Sequence, residues 1–371
     1  MLAVLLLLGL SIVLSELYLS LVYTPSWYGR TYYTLRKNFA VYQYDRQTGY
    51  RMSPNLVYSN PRKAYPNAPR KKEFVDVRTD RHGFLFTEDI DQLVHANYKL
   101  LFCIGGSTTA GMESAHAKTY PAQLDKLLRP MGYRSINAGL GGARSVHEKL
   151  IFQNIILKYK PAAVIIFSGY NDYEAYGYKV YAPYNPYVHY LSPMLARNPL
   201  ESVLSRSSLY FFARRRWGRK SPVMADDAER FQEALEDPRW LEEWKNNMRN
   251  IIDSCHTHGI KCFFLSSMIP AYEGAPLEAK QFADRDLDMG KRFDQWVRFL
   301  EIIHGAAREL CGDGRAQFID VRPWFEKYLS RFDRSDYFKE RFQLFVDRAH
   351  FSEKGNQWLA QAVYEQIKDK L

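Results

Sequence analysis

Between Lys99 and Gly111 the chain reads KLLFCIGGSTTAG, and this stretch limits the possible fold more than any other. Five consecutive apolar residues, Leu100 to Ile104, form a run of strand length with no polar face, the pattern of a strand covered on both sides. The run stops at Gly105-Gly106, where the backbone can turn sharply, and Ser107 then opens a helix-like segment. A serine hydroxyl is thereby delivered to the end of a strand, beside amides at a helix N-terminus that favour a developing negative charge. A Gly-Ser pair alone also fits a plain helix start, since serine is a preferred N-cap. Partners elsewhere in the chain decide between the two readings.

Downstream the chain alternates as a parallel sheet with crossover helices requires. A helix is predicted over 120–128, then a strand ending at Ile136-Asn137, a loop Gly139-Leu140-Gly141-Gly142, and a helix over 145–158. A nearly all-apolar strand over 162–168 runs into Gly169-Tyr170-Asn171-Asp172. An irregular insertion at about 173–221 follows, carrying Tyr173, Tyr176, Tyr178, Tyr181, Tyr184, Tyr187 and Tyr190. The pattern resumes with a helix over 229–256, a strand over 261–266, a long helix over 284–311, a strand over 316–321 and a closing helix over 353–371. The fold expected is a three-layer α/β/α sandwich around a central parallel sheet.

Each polar cluster falls at the C-terminal end of a predicted strand or in the loop before the last helix, the edge where open α/β sheets bind ligands. Ser107 needs a base, and His350 can be that base. Asp347, three residues upstream, can fix the imidazole tautomer and stabilise the imidazolium that forms. The amides of Ser107 and of a glycine in the second loop, with the Asn171 side chain, would donate to a tetrahedral oxyanion. Singly, these are an ordinary loop histidine, a helix-preceding aspartate and a turn asparagine; their joint order at strand ends favours the catalytic reading. His116 and His147 read as helix-surface residues, and His256 and His258 as a helix terminus. Cys103, Cys255, Cys262 and Cys311 have no CxxC spacing, so neither a metal nor a cofactor is expected.

In these blocks the chain resembles the SGNH or GDSL-like hydrolases, from about residue 99 to the C-terminus. GGSTTAG resembles the first block, NAGLGG the second, GYND the third and DRAH the fifth. The resemblance implies a flavodoxin-like sandwich with Ser107 as nucleophile and Asp347 and His350 as its catalytic partners. It also implies an oxyanion hole of Ser107, Gly142 and Asn171, with Gly139 the alternative to Gly142. Gly106 stands where the family name has Asp. The G-x-S-x-G elbow of α/β-hydrolases is absent, since Thr109 occupies its last glycine. The reaction implied is ester cleavage through an acyl-enzyme on Ser107, without a cofactor. Tyrosine rings can stack on sugar faces, so the insertion points to short acyl groups, acetyl first, carried on a carbohydrate. The alternatives are acyl transfer to a sugar hydroxyl through the same acyl-enzyme, a lipid esterase, and a non-catalytic glycan-binding protein, which has no need of the Asp347 and His350 pair.

At 371 residues and 46% hydrophobic composition there is room for one decorated α/β domain. Ahead of it, the run from Leu2 to Tyr23 is mostly apolar, with Glu16 its only charge, and is long enough to cross a hydrocarbon core of about 30 Å. It lacks the cationic start and the small-residue cleavage site of a signal peptide, so a retained transmembrane helix is expected. The domain plan is therefore an anchor over 1–25, an aromatic, Pro-rich lead-in over 26–98 with one short edge strand at 74–79, and the hydrolase domain over 99–371. A formal charge of +10, with clusters at Arg62-Lys63, Arg70-Lys71-Lys72 and Arg214-Arg215-Arg216, suits anionic lipid or polysaccharide. No nucleic-acid-binding motif accompanies it. Arg30, Arg36 and Lys37 favour a cytoplasmic C-terminal part under the positive-inside rule, whereas a glycan ester favours an extracytoplasmic one; the second is the expectation here. Oligomeric state is not legible.

Overall fold

The apolar runs come to lie side by side in one parallel sheet. A computed structural model of the chain describes residues 2–22, 42–61, 74–111, 114–177, 184–186, 209, 228–270 and 293–371. Three basic clusters and most of the insertion, including Tyr178, Tyr181, Tyr187 and Tyr190, lie outside these residues. The chain opens with α1 (Leu2–Val22) and the strands β1 (Tyr42–Asp45), β2 (Gly49–Met52), β3 (Val57–Pro61) and β4 (Phe74–Arg78). Then come α2 (Ile90–His95), β5 (Lys99–Gly105), α3 (Ser107–Ala110), α4 (Tyr120–Leu128), β6 (Tyr133–Gly139) and α5 (Ser145–Asn154). β7 (Ala163–Phe167), α6 (Tyr170–Gly177), α7 (Ala228–Glu236), α8 (Pro238–Thr257), β8 (Lys261–Leu265) and α9 (Phe293–Cys311) follow. The last elements are β9 (Gln317–Ile319), α10 (Arg322–Leu329), α11 (Arg334–Gln343) and α12 (Glu353–Ile367).

The sheet has the order β6-β5-β7-β8-β9 with every neighbour parallel. The chain leaves β5 to one side and returns to the other, so the crevice beyond the end of β5 is the topological switch point of a doubly wound sheet. Leu100 to Ile104 are at most 3% exposed, as a strand covered on both faces must be; each such side chain contributes about 2 kcal/mol of burial. Gly169 bends the chain out of β7 at φ +122°, and a Cβ there would lie 2.8 Å from Ile303 Cγ1, so only glycine lets α9 close over this strand end.

The short edge strand expected at 74–79 is found over 74–78; it pairs antiparallel with β3 in a separate two-stranded ribbon, and β1 and β2 form another. One helix expectation is corrected. The helix over 229–256 is two helices, because Pro238 has no N–H to continue the first; Asp237 caps the second by accepting from Arg239 N at 2.9 Å. α9 is described from Phe293, and the expected start at 284 lies outside the described residues.

The opening apolar run is helical over 21 residues. Its side chains are described only over 9–19, roughly 16 Å of helix, and among the described residues no helix is long and apolar enough to cross a membrane. On this helix Leu10, Ile12, Val13, Leu14 and Leu17 are exposed.

Candidate active site

Ser107 is the first residue of α3, directly beyond β5, and its amide is one of the unpaired donors that open a helix. The helix is short because Gly111, at φ +60°, ends it. His350 reaches the same point from the loop before α12. That loop is self-contained: Val346 N donates to His350 O at 2.9 Å, and Asp347 Oδ1 accepts the amides of Ala349 (3.0 Å) and His350 (2.9 Å). His350 Nδ1 stands 2.8 Å from both carboxylate oxygens of Asp347, and Nε2 stands 2.7 Å from Ser107 Oγ. An ionised carboxylate only accepts, so it holds the ring proton on Nδ1 and leaves Nε2 free to accept the serine proton. Ser107, His350 and Asp347 thus form one hydrogen-bonded line across 243 residues of sequence.

Of the expected oxyanion donors, the structure brings Ser107 and Asn171 together. Both line a cavity of about 20 Å³, which Glu148, Trp296 and His350 also border. The Asn171 amide donates to Ala143 O at 2.8 Å, which leaves its second N–H for a ligand. A Cβ on Gly106 would come within 2.4 Å of Asn171 Nδ2. The residue standing where the family name has Asp is therefore small because the Asn171 amide occupies its side-chain space. Gly142 has φ +76° in the loop after β6 but does not border the cavity. Gly139 is further from the role: its amide donates to Asn137 Oδ1 at 3.0 Å, and a Cβ there would sit 2.3 Å from Ala110 N.

Of the insertion's seven tyrosines the structure describes Tyr173, Tyr176 and Tyr184, and none of these three borders the cavity. Tyr173 is fully buried and stacks on Phe299 at 4.9 Å, and Tyr176 bonds to Asp237 and Arg239. Tyr184 is half exposed and its backbone N–H donates to Glu243 at 2.9 Å. His147, read as a surface residue, is buried: its Nδ1 accepts from Arg144 N at 3.0 Å and its Nε2 donates to Pro186 O at 2.9 Å. His116 and His350 belong to different places, and His256 and His258 lie at the end of α8.

Sequence reasoning missed two features of this edge. Arg348 bonds Glu174 at 2.5 Å and lies over the Trp296 ring at 5.4 Å, and both of these partners border the cavity. Beneath it is a buried acidic layer. Asp172 accepts the Ser145 amide at 3.0 Å and its hydroxyl at 2.6 Å, and burial pushes its pKa up to about 7. Glu148 is pushed well above the usual carboxylate range by burial and then by the charge of Asp172. A glutamate in the first turn of a helix reads in sequence as a plain partner of the helix dipole, so nothing marks Glu148 out.

A doubly wound sheet with a serine, a histidine and an aspartate in line at its switch point defines a serine hydrolase. The model of the GDSL-like Lipase/Acylhydrolase family matches residues 103–358, and the chain belongs to that family, whose members act on ester bonds. Solved structures with similar folds include TesA, 15% identical over 74% of this chain and 100% of that one with a TM-score of 0.41. They also include an acetyl xylan esterase, AlAXEase, 18% identical over 72% and 99% with a TM-score of 0.40. A third is a catalytic mutant of Axe2, an acetylxylan esterase from Geobacillus stearothermophilus, 16% identical over 72% and 94% with a TM-score of 0.42. No curated protein matches the chain.

Proposed function

We propose that this hydrolase cleaves short acyl esters, acetyl esters of a carbohydrate first, through an acyl-enzyme on Ser107. The observation that carries the reading is the continuous line from Ser107 Oγ to His350 Nε2 (2.7 Å) and from Nδ1 to Asp347 (2.8 Å). As Oγ bonds to the ester carbonyl carbon, its proton passes to Nε2 and the carbonyl electron pair moves onto oxygen, facing the Ser107 amide and the free Asn171 N–H. Asp347 stabilises the imidazolium. Collapse breaks the bond to the alcohol oxygen, which takes the proton from Nε2. Water then repeats the sequence, giving its proton to Nε2 and releasing the acid while Oγ is reprotonated.

A cavity of about 20 Å³ has the room of roughly one water-sized group, which favours a small acyl group over a long chain. The carbohydrate part of the proposal rests on Tyr178, Tyr181, Tyr187 and Tyr190 of the insertion, beyond the described residues. The test is kcat/KM across p-nitrophenyl acetate, butyrate, octanoate and palmitate, with fluorophosphonate labelling of Ser107 and an acetylated glycan as competitor. A profile rising toward palmitate overturns the short-acyl reading.

We also propose that α1 anchors the chain in a membrane with the catalytic domain outside the cytoplasm. Twenty-one helical residues reach about 31 Å, close to the width of a hydrocarbon core. C-terminal reporter fusions test this; activity of a cytoplasmic reporter alone overturns the placement.

A further inference from the structure

Glu148 lies in the first turn of α5, is 2% exposed and borders the cavity that holds Ser107 and Asn171. Its Oε2 is buried and meets no hydrogen-bond partner in the protein. The groups packed around it supply no counter-charge. At the end of β7, Ser168 neighbours Glu148, and its hydroxyl accepts the Trp244 indole N–H at 3.1 Å. From α6 comes Asp172, already engaged by Ser145. From α8 come Asn247, which donates to Ser145 Oγ at 3.0 Å, and Glu243. The cations nearby face elsewhere: Arg144 lies 3.8 Å from Glu243 and donates to Asn185 O, and Lys149 interacts with Glu243. His350, across the cavity, is committed to Ser107 and Asp347.

Three buried carboxyl groups, Glu148, Asp172 and Glu243, therefore lie in one layer whose buried guanidinium is nearest Glu243, and an uncompensated buried charge is the costliest arrangement available. Glu148 avoids it by keeping its proton, since burial and the Asp172 charge both act in that direction. A protonated carboxyl carries one O–H donor, and Glu148 borders the cavity from which a bound group could accept it. We infer that Glu148 is a specificity-determining residue of the ester site, donating a hydrogen bond to an oxygen of the bound ester and selecting a small oxygen-bearing group there over hydrocarbon. This rests on Ser107 being the nucleophile.

The experiment uses the full chain and two substrates, p-nitrophenyl methoxyacetate and p-nitrophenyl butyrate, whose acyl groups differ by an oxygen in place of a methylene. The ratio of their kcat/KM values in each variant is divided by the wild-type ratio, so intrinsic reactivity cancels. Glu148→Met, which removes the donor, should lower the ratio about tenfold, and Glu148→Gln, which keeps an N–H donor, should stay within about threefold. An unchanged ratio in Glu148→Met overturns the proposal. Infrared difference spectra provide the second measurement and need only the wild type and Glu148→Gln. A protonated-carboxyl C=O band should be present in the first and lost in the second, and its absence from the wild type overturns the proposal even if the Met variant does not fold. Fluorophosphonate labelling on the same samples keeps the two readings apart. Wild-type protein that does not label at Ser107 defeats the nucleophile and the inference together, whereas normal labelling with an unmoved ratio defeats the inference alone.

Discussion

Carboxyl groups stand behind one cavity on two sides, Asp347 behind His350 and Asp172 behind Glu148, and meet opposite treatment. Asp347, in the loop before α12, accepts two backbone amides and the imidazole N–H, and stands next to the one group that becomes a cation during the reaction. Glu148 and Asp172, in the first turns of α5 and α6, are 2% and 1% exposed, and the guanidinium of that layer is turned toward Glu243. The difference teaches that residue type alone does not decide what an acid does at a site. Donors and a titrating neighbour let a carboxylate carry charge through a reaction, while burial that outweighs the donors, as at Asp172, or meets none, as at Glu148 Oε2, pushes a carboxyl toward its neutral form. The same contrast separates parts that must respond during turnover from parts that hold the response in place.

The comparison breaks most completely if its reactive side is not reactive. Ser107→Ala should lower kcat for p-nitrophenyl acetate by on the order of 10⁴ or more, because the hydroxyl that starts the reaction is gone. Unchanged turnover in that variant would remove the reason for Asp347 to be charged. Next in size is Asn171→Ala, which takes away a side-chain donor bordering the cavity; kcat should fall by on the order of 10², with fluorophosphonate labelling slowed in parallel. A loss confined to KM would show that Asn171 binds the ground state equally and does no oxyanion work.

Why one side of the contrast was legible in the sequence and the other was not follows from range. Asp347 and His350 are three residues apart, and their loop closes on its own backbone, so the local string DRAH already contains its geometry. The all-apolar run of β5 and the glycines after it likewise dictate a covered strand and a turn without reference to anything distant. Glu148 has no such local signature. Its environment is assembled by Trp244 and Asn247, which arrive from α8; Asn247 and Ser145 are 102 residues apart. Tyr173 fails as a mouth residue for the same reason, since the ring that holds it, Phe299, lies in α9. Pro238 is the converse case, a local signal in its missing N–H at which the single helix expected over 229–256 divides in two.

A third substitution probes the seam between the two sides. Gly106 precedes the nucleophile, and a Cβ there would lie 2.4 Å from Asn171 Nδ2, closer than any relaxed contact. Gly106→Ala should therefore displace the Asn171 amide and lower kcat by on the order of 10², close to the effect of losing that amide. The double variant Gly106→Ala with Asn171→Ala sharpens the comparison, because its loss should be little larger than either single loss. Fully additive losses would mean that Gly106 acts on Ser107 directly and that the two sides are not joined through Asn171.

The smallest expected effect is on stability, and it tests the neutral side by itself. Burial holds the Asp172 carboxyl at about 7 in the folded protein against an ordinary value of 3.8. Between those values the folded state keeps a proton that the unfolded chain has lost, so the unfolded state binds fewer protons and stability falls as pH rises. For Asp172 alone the fall from pH 5 to pH 7 is about 2 kcal/mol. Glu148, also raised by burial, adds in the same direction, and so does Asp80, raised by burial to about 6. Urea midpoints measured at pH 5 and pH 7 should therefore decrease for the wild-type chain. Asp172→Asn keeps an acceptor for the Ser145 hydroxyl but cannot titrate, so its midpoint should decrease less over the same interval, the remainder coming from Glu148 and Asp80. Equal pH slopes in the two proteins would mean that Asp172 is already ionised when folded. The buried layer would then need a cation to balance it, and the distinction between a charged side and a neutral side of this cavity would fall.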